Sequence, residues 1–372
     1  MPDGLDLGGL PVDQTFGSGF VHRAEHYEAL FYWVALGQMV ATLVVFGLYA
    51  WRGAGFARES AAGPIGTGML LAMLGFGLVW LVTVPFHVLT LWWERRHDQS
   101  HQSYGEALFG DWFLLVFEFL LLSFAVLVAV GLARWLPRFW WIPAAVVFIA
   151  LQVLLVFTTP YLIPDTHRLD DPRLEAAAAR IAADEGVKDV PIRVEKVDTE
   201  DPNAFTTGLG PSRKVFLWSS ILDGRFSEPE LEVVVAHEYG HQARQHLLKG
   251  IAWYALFTVP LAYLIALGAR RRGGMREAAA IPLVLFVYVV FGLLATPFQA
   301  AISRHMEAEA DWMALQTTRN PRATAALFQR FAHTGLTDPS PPTAPYLFLY
   351  DHPTMAQRVA MARAWRGREA SP

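Results

Sequence analysis

Six stretches of this chain are apolar over about twenty positions or more: 29–51, 67–93, 112–134, 139–160, 250–269 and 279–302. An α-helix rises about 1.5 Å per residue, so a run of about 20 crosses the roughly 30 Å hydrocarbon core of a bilayer. Core helices of a water-soluble protein do not reach that length six times in one chain, and the pattern predicts six membrane spans. Trp92, Trp93, Trp112, Trp135, Trp140 and Trp141 stand at the ends of these runs, where the membrane–water interface favours an amphipathic indole.

Between the fourth and fifth runs the pattern becomes polar and mixed, from about 164 to 249. Asp171-Pro172, followed by Leu174, Ala177, Ala178 and Ile181, predicts a capped helix with one apolar stripe that closes at Gly186. Residues 191–197 alternate as a strand does, and 204–209 with 214–218, split by Gly210-Pro211-Ser212, predict a hairpin. Ser227 and Glu230 form a capping box that opens a helix running through Val233, Val234, His237 and His241. After residue 302 the pattern predicts helices over 303–318 and 321–334, a Pro-rich loop, and a last helix after Pro353. Residues 1–28 are polar, acidic and Gly-rich, and read as a tail without the features of a cleavable signal.

The expected fold is a mainly α integral membrane protein with about six transmembrane helices and a small α+β domain. Its parts are a polar tail (1–28), a four-helix transmembrane region (29–163), an α+β segment (164–249), a transmembrane hairpin (250–302) and a C-terminal helical part (303–372) that completes the polar domain.

Composition sharpens this picture. Of 372 residues 53% are hydrophobic and only 17% charged, too few charges for the surface of a soluble chain of this length. The net charge of −4 and the lack of a long basic tract argue against nucleic acid as a partner. Nothing in the sequence makes an oligomer evident. There is no cysteine, so a metal here must be held by His, Asp or Glu. The few lysines (Lys188, Lys196, Lys214, Lys249) against many arginines in an Ala-rich chain point to a GC-rich bacterial genome and thus to a bacterial cell membrane.

The chemistry concentrates in His237-Glu238-Tyr239-Gly240-His241. Residues four apart share one helix face, one turn of about 5.4 Å apart. Two imidazoles at that spacing can bind one zinc ion, with the intervening glutamate placed as general base. A third ligand is available in Glu307, which follows the sixth span as the His237 helix precedes the fifth, so a two-span hairpin returns it to the same side. Asp311, one turn on, can accept the other ring N–H of a zinc histidine. Glu309 and His305 compete with Glu307 for the ligand position, and helical geometry favours Glu307.

These motifs, in this order, resemble the type I CAAX prenyl proteases, membrane gluzincins related to the heat-shock-induced membrane zinc proteases. The likeness covers about 160–365 and includes Pro160-Tyr-Leu-Ile-Pro164, Asn203-Ala-Phe-Thr-Thr-Gly208, Ser303-Arg-His-Met-Glu307-Ala-Glu-Ala-Asp311 and Asp351-His-Pro-Thr-Met-Ala-Gln-Arg358. Residues 1–160 match only as a helical membrane region. The resemblance implies one zinc ion on His237, His241 and Glu307, with Glu238 as base. It also implies that Asn203 and His352 contact substrate or oxyanion and that Arg358 supports the site. Taken alone, Asn203 reads as a turn former and His352 as a loop histidine before proline.

The implied activity is a membrane-embedded zinc metalloendopeptidase that hydrolyses peptides or proteins at the lipid bilayer. The strand at 204–209 or at 214–218 is placed to pair with an extended substrate. A catalytically silent zinc-binding scaffold that presents peptides is the rival class; it predicts loss of Glu238 or of the ligand set, and both are intact. A transporter would carry broken paired spans and inverted repeats, which are missing here. His87 and Glu118 fall inside spans, as a structural pair or as lining of an interior chamber. Arginine-rich short loops near 52–66, 134–138 and 270–278 place that side in the cytoplasm by the positive-inside rule, whereas the resemblance implies cytoplasmic catalysis on the other side.

Overall fold

The structure is a computed structural model, and it describes residues 9–58, 60–188, 190–199 and 201–369. Four long helices come first: α1 Ser18–Arg52, α2 Gly63–Arg96, α3 Tyr104–Trp135 and α4 Trp141–Leu162. The mixed segment follows as β1 Thr166–Arg168, α5 Pro172–Asp184, β2 Ile192–Glu195, β3 Ala204–Thr207, β4 Lys214–Trp218 and α6 Glu228–Ala243. Then come α7 His246–Arg270, α8 Ile281–Thr318, α9 Pro321–Thr334, the short α10 Thr343–Leu349 and α11 Met355–Glu369.

Each predicted span matches one helix long and apolar enough to cross a bilayer, six among the described residues, although the fourth helix starts at Trp141 rather than at 139. The chain is a multi-pass membrane protein. It packs as two units, whose boundaries fall inside α1, α4, α7 and α8.

One unit, Leu30–Gln152 with Ile251–Thr296, is helical. Its core gathers Phe46, Tyr49, Leu71, Val126, Val130 and Ile281. The Tyr49 hydroxyl donates to the Leu71 carbonyl at 2.7 Å, and Gly75 leaves room for the ring, since a Cβ there would sit 2.9 Å from it. Trp33, Leu81, Phe109, Phe113 and Leu120 are exposed, an apolar surface that needs lipid rather than water around it. His87 does not pair with Glu118. Its Nδ1 lies 2.8 Å from Asp111 Oδ2 and its Nε2 2.9 Å from Gln38 Nε2. Asp111 lies just before the apolar run 112–134, so the hydrophobic pattern drew attention to Glu118 inside the run instead of to Asp111 at its edge.

The other unit joins the residues up to Ala29, Val153–Gly250 and Pro297–Pro372. Residues 18–28, read above as part of a polar tail, start α1 after a π-helical turn at Asp13–Gly17. Phe16, Phe20, Val21, Ala24 and Tyr27 are all buried, a helical stripe hidden among charged and polar neighbours. Residues 1–8 of that tail lie outside the described residues.

A four-stranded sheet of order β1-β2-β4-β3 lies in this unit, with β2 and β4 parallel and the outer pairings antiparallel. Val194, Val215 and Leu217 of the sheet share one core with Leu174 and Ile181 of α5 and with Val233 and Ala236 of α6. The Asp171 side chain caps α5 by accepting from the Arg173 and Leu174 N–H groups, and Gly186 ends it at φ +68. At the start of α6, Glu230 Oε2 accepts from the Ser227 N–H at 2.8 Å and from its hydroxyl at 2.7 Å. This fixes the register of the helix that carries His237 and His241. β3 is an edge strand, and β4 is internal.

Candidate metal centre

Helix α6 presents His237 and His241, and α8 presents Glu307 and Asp311. The two helices meet at Gly240, where a Cβ would lie 3.4 Å from the Cα and carbonyl oxygen of Ala310. A methyl group just fits at that distance, and a side chain larger than a methyl would hold the backbones apart. The approach brings His237 Nε2 to 3.0 Å from His241 Nε2 and 3.1 Å from Glu307 Oε2, and His241 Nε2 to 3.4 Å from Glu307 Oε1.

Behind His237, Asp311 Oδ1 accepts from Nδ1–H at 2.9 Å. Arg358 of α11 donates to both Asp311 oxygens, from Nε at 2.7 Å and from Nη2 at 2.6 Å, and both side chains are buried. A carboxylate can only accept, so in the neutral ring the His237 proton sits on Nδ1 and the Nε2 lone pair faces Glu307. Glu307 Oε2 is itself buried without a hydrogen-bond partner. Lone pairs and a carboxylate gathered this closely repel one another unless a cation sits among them. Burial disfavours an imidazolium, yet the carboxylates of Asp311 and Glu307 outweigh it and push His237 up to about 10, a measure of how strongly the site draws positive charge. The three ligand atoms lie within 4.8 Å of one another, and the set fits a metal ion.

Glu238 lies beside these ligands and is buried, and that burial raises its carboxyl above the usual range. His352 Nε2 lies 3.2 Å from Glu307 Oε2, and its Nδ1 donates to Asp351 Oδ1 at 2.7 Å. Asn203 stands at the head of β3. A cleft is lined by Asn203, His237, Glu238, His352 and Arg358, with Val233 and Phe331 among its apolar walls. The structure therefore brings together all eight residues singled out in the sequence.

Residues 168–366, more than half of the chain, match the model of peptidase family M48. The chain belongs to that family. Over 261 residues it is 28% identical to the uncharacterized metalloprotease YhfN of Bacillus subtilis strain 168, covering 66% of this chain and 61% of that one. Over 182 residues it is 32% identical to the protease HtpX of Stenotrophomonas maltophilia strain R551-3, covering 44% and 62%. The chain thus spans about three fifths of the length of these relatives. The crystal structure of S. mikatae Ste24p has the same fold, with a TM-score of 0.76 over 94% of this chain and 90% of that one at 15% identity. The motif resemblance and the family M48 match agree.

Within the M48 region, one residue escaped the sequence reading. His246, outside the motifs singled out above, is buried, with Nδ1 2.9 Å from His241 Nδ1 and Nε2 3.1 Å from Glu309 Oε2. Glu309, weighed as a ligand, is turned to this second histidine and to Lys249 Nζ at 3.2 Å, and His305 is exposed. The hidden signal is conformational: Gln245 adopts φ +56, which breaks the helix after α6 and folds His246 back. No helical periodicity carries across such a break.

Proposed function

We propose that this chain is a zinc-dependent metalloendopeptidase of the bacterial cell membrane, acting on peptide bonds of membrane-associated proteins or peptides. The observation that carries the reading is the convergence of His237, His241 and Glu307 with the buried Glu238 beside them. Two imidazoles and one carboxylate, without thiolate, suit a catalytic zinc ion that keeps an open position. Bound there, zinc would supply Lewis acidity to the scissile carbonyl and acidify water.

The residues supply the rest. Glu238, buried beside the ligands, takes the proton of the attacking water and delivers it to the leaving amine. His352 points Nε2 toward the ligand cluster, where, with both ring nitrogens protonated, it can donate to an oxyanion as charge develops while Nδ1–H stays on Asp351. Asp311, held by Arg358, keeps His237 in the ligating tautomer. The Trp218 N–H bonds to the Asn203 carbonyl, so the antiparallel alternation leaves the main-chain groups of Ala204 and Thr206 facing away from β4. An extended substrate can pair along that edge, with Asn203 at its head.

The test is zinc content and cleavage of a broad peptide library by the purified full-length chain and Glu238→Gln. One zinc per chain in both, with cleavage reduced by about 10²–10⁴-fold in the variant, is expected. Zinc in both and cleavage in neither would turn the reading to a silent scaffold, and absence of zinc after reconstitution would remove the metal centre.

A further inference from the structure

We propose that His246, backed by Glu309, is a positioning residue that fixes His241 for metal ligation; the inference rests on the metallopeptidase reading above. His241 turns Nε2 toward His237 and Glu307, so Nδ1 is its outer nitrogen. That nitrogen faces His246 Nδ1 at 2.9 Å, and the far nitrogen of His246 faces Glu309 Oε2 at 3.1 Å.

Only one arrangement of protons satisfies both contacts with neutral rings. The Glu309 carboxylate can only accept, so His246 carries its proton on Nε2. Its Nδ1 then bears a lone pair and accepts from His241 Nδ1–H. The lone pair of His241 is left on Nε2, facing the other two ligands. Asp311 imposes the same state on His237 directly, whereas His241 receives it through an interposed imidazole. His246 is 5% exposed, so little water competes for either contact. Glu309 is held in turn by Lys249 Nζ at 3.2 Å and Arg244 Nε at 3.4 Å. Both imidazole ligands thus have outer partners that end on a carboxylate anchored by a cation.

The test uses the full-length protein in detergent, stripped of metal and titrated with zinc against a chromophoric chelator, and then loaded with cobalt for its d–d absorption. His246→Phe fills the space without an acceptor and is expected to weaken zinc about 10- to 100-fold and to alter the cobalt bands. His246→Asn returns an acceptor to His241 and is expected to recover most of the affinity and the wild-type bands. Glu309→Ala, which frees His246 to change tautomer, falls between them and serves if the phenylalanine variant does not fold. Wild-type affinity in both His246→Phe and Glu309→Ala, or equal losses in the phenylalanine and asparagine variants, would overturn the assignment while leaving the metal centre standing. A wild type that binds no metal would instead overturn the metallopeptidase reading, and this assignment with it.

Discussion

Replacing Arg358 by methionine isolates the contribution of the most buried ion pair near the metal centre. Methionine keeps most of the side-chain volume but removes two charge-assisted bonds to Asp311, at 2.7 and 2.6 Å, and the contact of the guanidinium with the Phe328 ring, 3.9 Å from its centroid. Asp311, 2% exposed, would then keep His237 alone as partner. Breaking a buried pair in this way costs about 3–5 kcal/mol, because one charge stays buried without compensation. Arg358→Lys keeps the charge but not the fork, and should lose about half as much, near one hydrogen bond to a charged group at about 1.5–3 kcal/mol. Adding Asp311→Asn to Arg358→Met removes the uncompensated charge, so the double variant should be more stable than the two losses added together by at least about 1 kcal/mol. The assay is unfolding of the metal-free protein in detergent, followed by near-ultraviolet circular dichroism, so that metal binding does not mask the fold. If Arg358→Met stays within about 1 kcal/mol of wild type, the reasoning fails, since surface pairs alone have so small an effect.

Two further perturbations probe the packing behind the metal helices. Burial pushes the Glu185 carboxyl up to about 7; Oε1 accepts from the Thr317 hydroxyl at 2.9 Å, and Oε2 is buried without a partner. The folded state therefore holds a proton that the unfolded state releases near pH 4.5, so wild-type stability falls as pH rises from about 4.5 to 7. Glu185→Gln should be more stable than wild type above pH 7, by about 3 kcal/mol at most, with the gap closing below pH 5; unfolding at pH 5, 6 and 8 checks it, and a constant offset would refute it. At Gly240, alanine should be tolerated within about 1 kcal/mol, whereas Gly240→Val should force α6 from α8, costing about 1–3 kcal/mol. Because the ligands sit on both helices, zinc titration should show at least a tenfold loss for valine only.

Much of this was legible in the chain. The six spans follow from hydrophobic length alone, and Asp171, Gly186 and Ser227 mark real helix ends because capping is local chemistry. The hairpin appeared because Gly210-Pro211-Ser212 interrupts two alternating strands. What escaped depends on partners distant in sequence or on unusual backbone. His246 meets Glu309 across 63 positions and reaches His241 only through the φ +56 residue Gln245. The buried stripe from Phe16 to Tyr27 was masked by charged neighbours, and α10 grew from a loop that its prolines suggested would stay irregular. Asp311 was legible since one helical turn relates it to Glu307, while Arg358, 47 positions further on, entered only with the family resemblance.

The open edge of β3 has one more consequence for a hydrolase built around it. Pairing along that edge requires donors and acceptors that are not already engaged, and a native helix or inner strand has none to offer. Recognition of this kind measures conformational state before it measures side-chain identity. A folded neighbour in the same bilayer would pass untouched, and the same polypeptide with a segment pulled straight would become a ligand. Selectivity would then lie in the unfolding equilibria of the clients, and a mutation that lowers a client's local stability by about 1.4 kcal/mol would raise its exposed population tenfold.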